Sequence, residues 1–259
     1  MHLLTDIYLA AYTETCGADI AATLDSISAI DDTVHNFTFY TSVAVISSSR
    51  IEGEQMEVDS YVKHKVQDIE YLPELVEKPN DLYRAYAFAR KAPLDEEHFL
   101  QAHKLITEHL LPEKWRGVYR KNEMLVLEHG SGRVQFEAAP AAIVAVEMQK
   151  LWEDIDELLA RELPMNEVFY YAAFIHMMFV CIHPFNDGNG RAARLLEKWF
   201  VVQHIGNKAW YIRSEKYYYD HVNEYYRNLN RVGMFYDALD LKDAQPFLQM
   251  LPLALRWNR

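Results

Sequence analysis

The sequence contains few residues that break helices or cross-link chains. Its 259 residues include nine glycines, nine prolines and two cysteines, Cys16 and Cys181. Two cysteines so far apart provide neither a disulfide framework nor the spacing of a zinc site. We therefore expect a reducing, cytoplasmic setting and no metal bound by cysteine. Because glycine and proline are scarce and apolar residues recur at helical spacing, the sequence predicts a mainly α fold.

Two further absences limit the setting and the partners. Residues 1–11 lack the basic start and the apolar stretch of a secretory signal, and we find no apolar run of 18 residues elsewhere. We therefore expect no membrane partner. The 26 lysines and arginines are outnumbered by 38 aspartates and glutamates, and the net charge of −12 disfavours direct nucleic acid binding. A homo-oligomer stays an open alternative.

Helical spacing divides most of the chain into successive helices. Residues 3–28 and 40–66 are predicted to be helical, with a polar break at 31–36 between them. Residues 68–80 contain two prolines and are predicted to be a connector. Further helices are expected over residues 81–91, 95–110, 141–160 and 166–181.

One segment breaks the helical pattern. Residues 124–127 and 134–136 are short strand-like runs on either side of His129-Gly130-Ser131-Gly132. Glycines between two β-prone runs are typical of a tight turn, so a small β-hairpin is predicted within residues 119–137.

The most informative segment is residues 183–194, His-Pro-Phe-Asn-Asp-Gly-Asn-Gly-Arg-Ala-Ala-Arg. The turn at residues 188–190 tolerates positive φ and leads into a predicted helix, so its backbone N–H groups can converge on an anion. Arg191 and Arg194 are neighbours on one helix face, and their guanidinium groups suit terminal phosphate oxygens. Asp187 offers a hard oxygen ligand for Mg²⁺. His183, at the end of a helix, is a candidate base for a hydroxyl proton.

This segment resembles the motif of the Fic family, H-x-F-x-[D/E]-G-N-G-R-x-x-R, at every fixed position. The resemblance implies a Fic-type helical bundle that uses ATP and Mg²⁺. It implies His183 as the catalytic base, Phe185 as the apolar anchor of the loop and Asp187 as the metal ligand. The residues implied to bind the nucleotide are Asn186, Gly188, Asn189, Gly190, Arg191, Arg194, Tyr225 and Tyr226.

The resemblance extends beyond the loop. Residues 115–120, Trp-Arg-Gly-Val-Tyr-Arg, resemble the family's approach to its flap, a hairpin that aligns a segment of the target protein by strand addition. The implied organisation is an N-terminal helical region at 1–80, a Fic core at 81–212 and C-terminal helices at 213–259 that pack on the core. Gly233 stands where some relatives have an asparagine near the nucleoside, so base selectivity is less well indicated than phosphate binding.

A second signature lies upstream, in Ser48-Ser49-Arg50-Ile51-Glu52-Gly53. It resembles the family's inhibitory signature, [S/T]-x-x-x-E-[G/N], on a helix expected around residues 43–57. Ser48 and Glu52 are one helical turn apart, so we expect Ser48 to orient a carboxylate directed at Arg194. A Glu52–Arg194 pair would keep the arginine from the terminal phosphate.

The resemblance implies a protein adenylyltransferase that transfers AMP from Mg-ATP to a Tyr, Thr or Ser hydroxyl of a target protein or of the protein itself. Three alternatives are open: a hydrolase that removes AMP from a modified protein, a transferase with another nucleotide donor, and a non-catalytic ATP-sensing module.

Three other features of the sequence are expected to have structural and not functional roles. His176 is expected to be a core histidine with satisfied hydrogen bonds, since no metal motif includes it. Residues 217–219, three tyrosines, are expected to pack on the core. Residues 153–157 are predicted to be a solvated acidic helix face.

Overall fold

A computed structural model describes residues 1–16, 20, 23–24, 27, 30–127 and 132–257. Within these residues the chain is mainly helical with one small antiparallel sheet, which confirms the predicted fold class. The helices are α1 (Leu9–Cys16), α2 (Val34–Ile51), α3 (Val58–Val66), α4 (Pro73–Ala89), α5 (Glu96–Ile106), α6 (Val144–Leu159), α7 (Met165–Ile182), α8 (Asn189–Ile205), α9 (Ser214–Asp220), α10 (Val222–Leu229), α11 (Gln245–Leu248) and α12 (Met250–Trp257). The strands are β1 (Leu125–Leu127) and β2 (Val134–Glu137).

The two helices at the centre of the fold are α7 and α8. Helix α7 contacts α1, α6, α8, α11 and α12, and most of its side chains are buried. Its 18 residues have a mean hydropathy of 1.4, which meets the length and composition of a membrane span. The prediction that the chain has no such run is therefore wrong. Because helices surround α7, its apolar side chains are buried inside the protein, as in a core helix.

Helix α2 differs from its prediction at both ends. It begins at Val34, inside the predicted polar break, because the Thr33 side chain caps it by accepting the N–H of Asn36 at 3.1 Å. It ends at Ile51, and Gly53 has a φ of +91° in the turn that follows. The predicted continuous helix over 40–66 is therefore wrong, and Glu52 is the residue that ends α2.

The connector predicted over residues 68–80 is also wrong in its second half. Helix α4 begins at Pro73, where the fixed φ of proline suits the first turn, and it continues through Pro79. One helix therefore runs across residues 80 and 81, where the predicted organisation placed a boundary. Pro79 has no N–H to donate, but it is buried, and packing offsets the lost hydrogen bond.

The acidic run at 153–157 is not uniformly solvated as predicted. Asp154 is fully buried, and its carboxylate accepts the backbone N–H groups of Leu3 and Leu4 at 2.7 and 2.8 Å and that of His2. Since a buried carboxylate needs such donors, this contact fixes the chain start to α6. Of the predicted helix over residues 3–28, the structure shows α1, and several later residues lie outside the described part.

The predicted hairpin is present as the pair β1 and β2. Leu125 pairs with Glu137 and Val126 with Phe136, and the register then shifts so that Leu127 pairs with Val134. The predicted turn residues 129–131 lie outside the described residues. At the end of β2, the N–H of Glu137 donates to the carbonyl of Met234 at 2.8 Å, which connects the hairpin to the C-terminal part of the chain.

Candidate active site

A pocket of about 680 Å³ lies where the end of α2, the hairpin, the α7–α8 loop and α10 meet. This volume is in the range of small-molecule sites. Six of the predicted site residues line it: Glu52, His183, Gly190, Arg194, Tyr225 and Tyr226. Val126 and Gln135 of the hairpin form part of its wall.

Phe185 anchors the α7–α8 loop in the hydrophobic core. Its ring is fully buried and stacks on His103, with ring centroids 3.5 Å apart and planes 13° apart. Burial lowers the pKa of His103 to about 4, so its ring is neutral at ordinary pH. Its Nδ1 accepts the N–H of Gly117 at 3.0 Å, which leaves Nε2–H to donate to the carbonyl of Asp187 at 3.0 Å. His103, which the sequence did not single out, therefore braces the loop.

Arg120 holds the loop from the other side. Its Nε–H donates to the carbonyl of His183 at 2.7 Å, and Nη2 donates to the carbonyls of Ile182 and Ala139. Its backbone N–H also donates to the carbonyl of Pro184 at 2.8 Å. Five N–H groups in a rigid fork suit this task. Arg120 therefore fixes the backbone on which His183 stands.

Asn189 has a different position from the one expected of a phosphate ligand. Its side-chain oxygen accepts the N–H of Phe185 at 2.9 Å, and its amide nitrogen donates to the carbonyl of Phe185 at 2.8 Å. Both ends of the amide are thereby used within the loop. The prediction that Asn189 binds the nucleotide therefore applies only to its backbone N–H, and its side chain closes the loop.

Two glycines shape the turn that begins α8. Gly188 has a φ of +78°, and a Cβ there would lie 2.8 Å from the Thr107 methyl carbon, so only glycine fits without strain. A Cβ on Gly190 would lie 2.3 Å from Oε1 of Glu52. The Glu52 carboxylate thus lies against the first turn of α8, where free N–H groups and the helix dipole favour an anion.

His183 ends α7 in a left-handed conformation, with a φ of +51°. Its Nδ1 is 3.3 Å from the carbonyl of Val180, and since a carbonyl only accepts, the ring proton is on Nδ1. Burial lowers the pKa of His183 to about 4. In the neutral ring, Nε2 carries the lone pair, so His183 has the protonation state that a general base needs at neutral pH.

Arg194 is 1% exposed and is held by four hydrogen bonds at the edge of the pocket. Its Nη2 donates to Oε1 of Glu52 at 2.6 Å and to the carbonyl of Ser48 at 3.1 Å, and its Nε donates to Oγ of Ser48 at 2.8 Å. Although burial alone would raise it, Arg194 and Arg191 lower the pKa of Glu52. The expectation that Ser48 orients Glu52 is wrong, because Ser48 bonds to the arginine instead.

Arg191 is 4% exposed, and its Nε and Nη1 have no hydrogen-bond partner in the described part of the chain. Its Nη2 is 3.9 Å from Oε1 of Glu54, which itself accepts from Lys78 at 3.0 Å. Unsatisfied buried guanidinium nitrogens are costly, so their presence beside a helix N-terminus fits an anionic ligand. A triphosphate has the oxygens that these donors lack.

Asp187 is exposed, and its Oδ1 accepts the N–H of Gly188 at 2.6 Å. Among the described residues no group of three or more His, Cys, Asp or Glu side chains could hold a metal ion. A lone carboxylate fits Mg²⁺, which keeps several waters and takes oxygens from nucleotide phosphates.

Asn186, also implied to contact the nucleotide, lies in a separate cavity of about 380 Å³ with Trp115 and Tyr119. It does not line the main pocket in the described part of the chain.

Tyr225 and Tyr226 occupy the wall formed by α10. Tyr225 is 1% exposed and accepts from Nη1 of Arg194 at 3.3 Å, whereas Tyr226 donates to the carbonyl of Ile51 at 3.3 Å. Behind Tyr225 lies His176, whose ring nitrogens contact Tyr225 and Glu197, as expected of a satisfied core histidine. Tyr218 is likewise buried and donates to Glu197 at 3.0 Å.

Sequence and structure comparisons agree on one family. The Fic/DOC family profile matches residues 93–201. The protein adenylyltransferase Fic of Nematostella vectensis is 29% identical over 130 residues, which cover 49% of this chain and 28% of that relative. The matched part thus spans less than a third of the relative's length.

Solved structures of Fic proteins share the fold. A Fic family protein from Desulfovibrio desulfuricans superposes with a TM-score of 0.76 at 20% identity, covering 98% of this chain and 74% of that one. A Fic domain-containing signaling protein from Bacteroides thetaiotaomicron gives 0.71 at 20% identity and covers 93% of each chain. Fic-1 from C. elegans gives 0.70 at 16% identity, covering 96% of this chain and 72% of that one.

Proposed function

Because this chain belongs to the Fic/DOC family, we propose that it is a protein adenylyltransferase that transfers AMP from Mg-ATP to a hydroxyl of a target protein. One observation carries the proposal. His183, the first turn of α8 at Gly190 and the buried Arg194 line one pocket, and the buried Arg191 lies on the same helix as Arg194. Phosphoryl-type transfer depends mainly on positioning and charge stabilisation, and this arrangement supplies both.

Each group has one task in the proposed step. The N–H groups of the 188–190 turn and the guanidinium groups of Arg191 and Arg194 bind the phosphates, and Asp187 would hold Mg²⁺ against them. Nε2 of His183 removes the proton from the target hydroxyl. The hydroxyl oxygen then forms a bond to the α-phosphorus while the bond from that phosphorus to the bridging oxygen breaks. AMP becomes attached to the target and pyrophosphate leaves.

The hairpin is the proposed docking site for the target. Val126 and Gln135 line the pocket, so an extended segment that pairs with the hairpin would bring a side chain near His183. The described strand β1 pairs on one side with β2, and its other edge is the surface available to such a segment. We further propose that the protein works in the cytoplasm, where ATP and reduced cysteines coexist.

Glu52 is the proposed inhibitory residue. Its carboxylate lies on Gly190 and bonds Arg194 at 2.6 Å, so it occupies the place that the phosphate oxygens would take. ATP would then enter with its terminal phosphate displaced and its α-phosphorus poorly aligned with His183. This mode of inhibition supports assignment to the subclass with an N-terminal inhibitory helix.

The test is transfer of label from ATP radiolabelled at the α-phosphate, measured with the Glu52→Gly protein and a cell lysate. Adding His183→Ala should lower labelling by about 100-fold or more, the usual contribution of a general base. His35→Ala is the control, because His35 is exposed and lies at the opposite end of α2 from Glu52. Labelling that survives His183→Ala, with folding checked by thermal denaturation, would exclude His183 as the base.

A further inference from the structure

A row of buried polar side chains lies behind the pocket and ends on Arg194. The Glu197 carboxylate is 2.8 Å from Nδ1 of His176, and Nε2 of His176 is 2.9 Å from the Tyr225 hydroxyl. That hydroxyl is 3.3 Å from Nη1 of Arg194. All four side chains are at most 1% exposed, so water cannot replace any partner in the row.

The hydrogen-bond directions in this row follow from the Arg194 end. A guanidinium only donates, so the Tyr225 oxygen accepts from Arg194 and its O–H is free to donate to Nε2 of His176. The His176 proton is then on Nδ1 and is donated to Glu197. Tyr218 also donates to Glu197 at 3.0 Å, so the buried carboxylate has two donors. Each group in the row therefore has a complementary partner.

Tyr225 is on a different helix from Ser48 and Glu52, the other two residues that bond to Arg194. Ser48 belongs to α2 and Glu52 is its C-terminal cap, and both would move with that helix. Tyr225 belongs to α10 and is the hydrogen-bond partner of Arg194 outside the α2 segment in the described part of the chain. When Glu52 leaves Arg194, the Tyr225 hydroxyl still fixes the direction of the guanidinium.

We propose that His176, held by Glu197, is a positioning residue that keeps the Tyr225 hydroxyl turned as an acceptor toward Arg194. Neither His176 nor Glu197 lines the pocket in the described part of the chain, so both act through Tyr225. The consequence is specificity, because an oriented Arg194 favours a nucleotide with a terminal γ-phosphate over a nucleoside diphosphate. This inference rests on the proposed function, in which Arg194 binds the terminal phosphate.

The experiment compares binding of Mg-ATP and Mg-ADP by isothermal titration calorimetry in Glu52→Gly protein. Adding His176→Phe or Tyr225→Phe should weaken ATP binding about tenfold, since an oriented hydrogen bond to a charged group is lost, and ADP binding less than about twofold. His176→Gln is the rescue variant, because an amide can accept from Tyr225 and donate to Glu197. It should keep the preference for ATP within about twofold of the Glu52→Gly parent.

Three outcomes contradict the inference. The first is that ATP binding and ADP binding are weakened equally, as a general loss of structure would cause. The second is that the ratio of ATP affinity to ADP affinity is unchanged in Tyr225→Phe. The third is that the His176→Gln protein binds the two nucleotides as His176→Phe does. His176→Phe leaves a buried carboxylate with one donor fewer and can fail to fold. In that case Tyr225→Phe, which keeps the His176–Glu197 pair intact, decides the result.

The titrations and the label-transfer assay together separate this inference from the proposed function. A Glu52→Gly parent that binds ATP but transfers no AMP contradicts the proposed function. The ratio of ATP affinity to ADP affinity in the variants then still decides whether His176 positions Tyr225. A parent that binds neither nucleotide contradicts both.

Discussion

Replacing Glu52 tests whether its carboxylate holds the site inactive. In Glu52→Gly the first turn of α8 loses the carboxylate that lies against Gly190, and Arg194 loses its 2.6 Å ion pair. Arg194 keeps its contacts to Ser48 and Tyr225, so the guanidinium stays beside the pocket. The change should therefore free the phosphate site without dismantling it.

The size of the effect follows from the contact that ATP must replace. Opposite unit charges about 4 Å apart in a partly buried site attract by roughly 4 kcal/mol. In wild type, ATP must break the Glu52–Arg194 attraction before its terminal phosphate can bind Arg194. Without Glu52 this cost disappears, but only in part does it appear as faster transfer, so we expect a gain in transition-state stabilisation near that of one charge-assisted hydrogen bond, about 1.5–3 kcal/mol. That gain corresponds to a rate of AMP transfer higher by roughly 10- to 100-fold.

The assay is the initial rate of label transfer from ATP radiolabelled at the α-phosphate, onto the protein itself and onto a lysate. Glu52→Gln separates charge from size and should be released to a similar extent. Glu57→Gln is the matched control, because Glu57 is in the same connection between α2 and α3 but is 71% exposed and pairs with Arg50. Equal labelling by wild type and Glu52→Gly would refute the reasoning.

Three further predictions concern the base, the loop and the chain start. Since the pKa of His183 is lowered to about 4, its neutral form dominates above that pH, so kcat/KM of the released enzyme should be nearly as high at pH 5 as at pH 7. An acid limb near the ordinary histidine pKa of about 6.5 would contradict this. Asn189→Ala removes two loop hydrogen bonds and should lower the free energy of unfolding by about 2 kcal/mol in urea titrations, whereas Asn186→Ala should change it by less than about 0.5 kcal/mol. Asp154→Ala should expose the N-terminal residues to limited proteolysis, and Asp156→Ala, which removes an exposed carboxylate on the same helix, should not.

The sequence predicted the fold class and much of the pocket because those features depend on local patterns. Apolar spacing predicted α6 and α7 to within a few residues of their observed ends. The motif at 183–194 identified His183 and Arg194, and the upstream signature identified Glu52, and the structure brings these three side chains to one pocket. A contiguous segment on a loop and helix start largely fixes its own geometry.

The features that were wrong or missed depend on contacts between distant residues. Packing allows Pro79 inside α4. Asp154 is buried because the chain start folds over it. The bracing of the loop by His103 and Arg120 likewise joins residues more than sixty positions apart. Periodicity carries no information about such pairs.

The central claim is that the 188–190 turn and the two arginines hold a triphosphate beside His183. The most direct measurement is a crystal structure of Glu52→Gly protein soaked with Mg-ATP. The account predicts phosphate oxygens on the N–H groups of the turn and on Arg191 and Arg194, with Nε2 of His183 facing an open path to the α-phosphorus. A turn without phosphate, or a His183 ring directed away from that phosphorus, would contradict it.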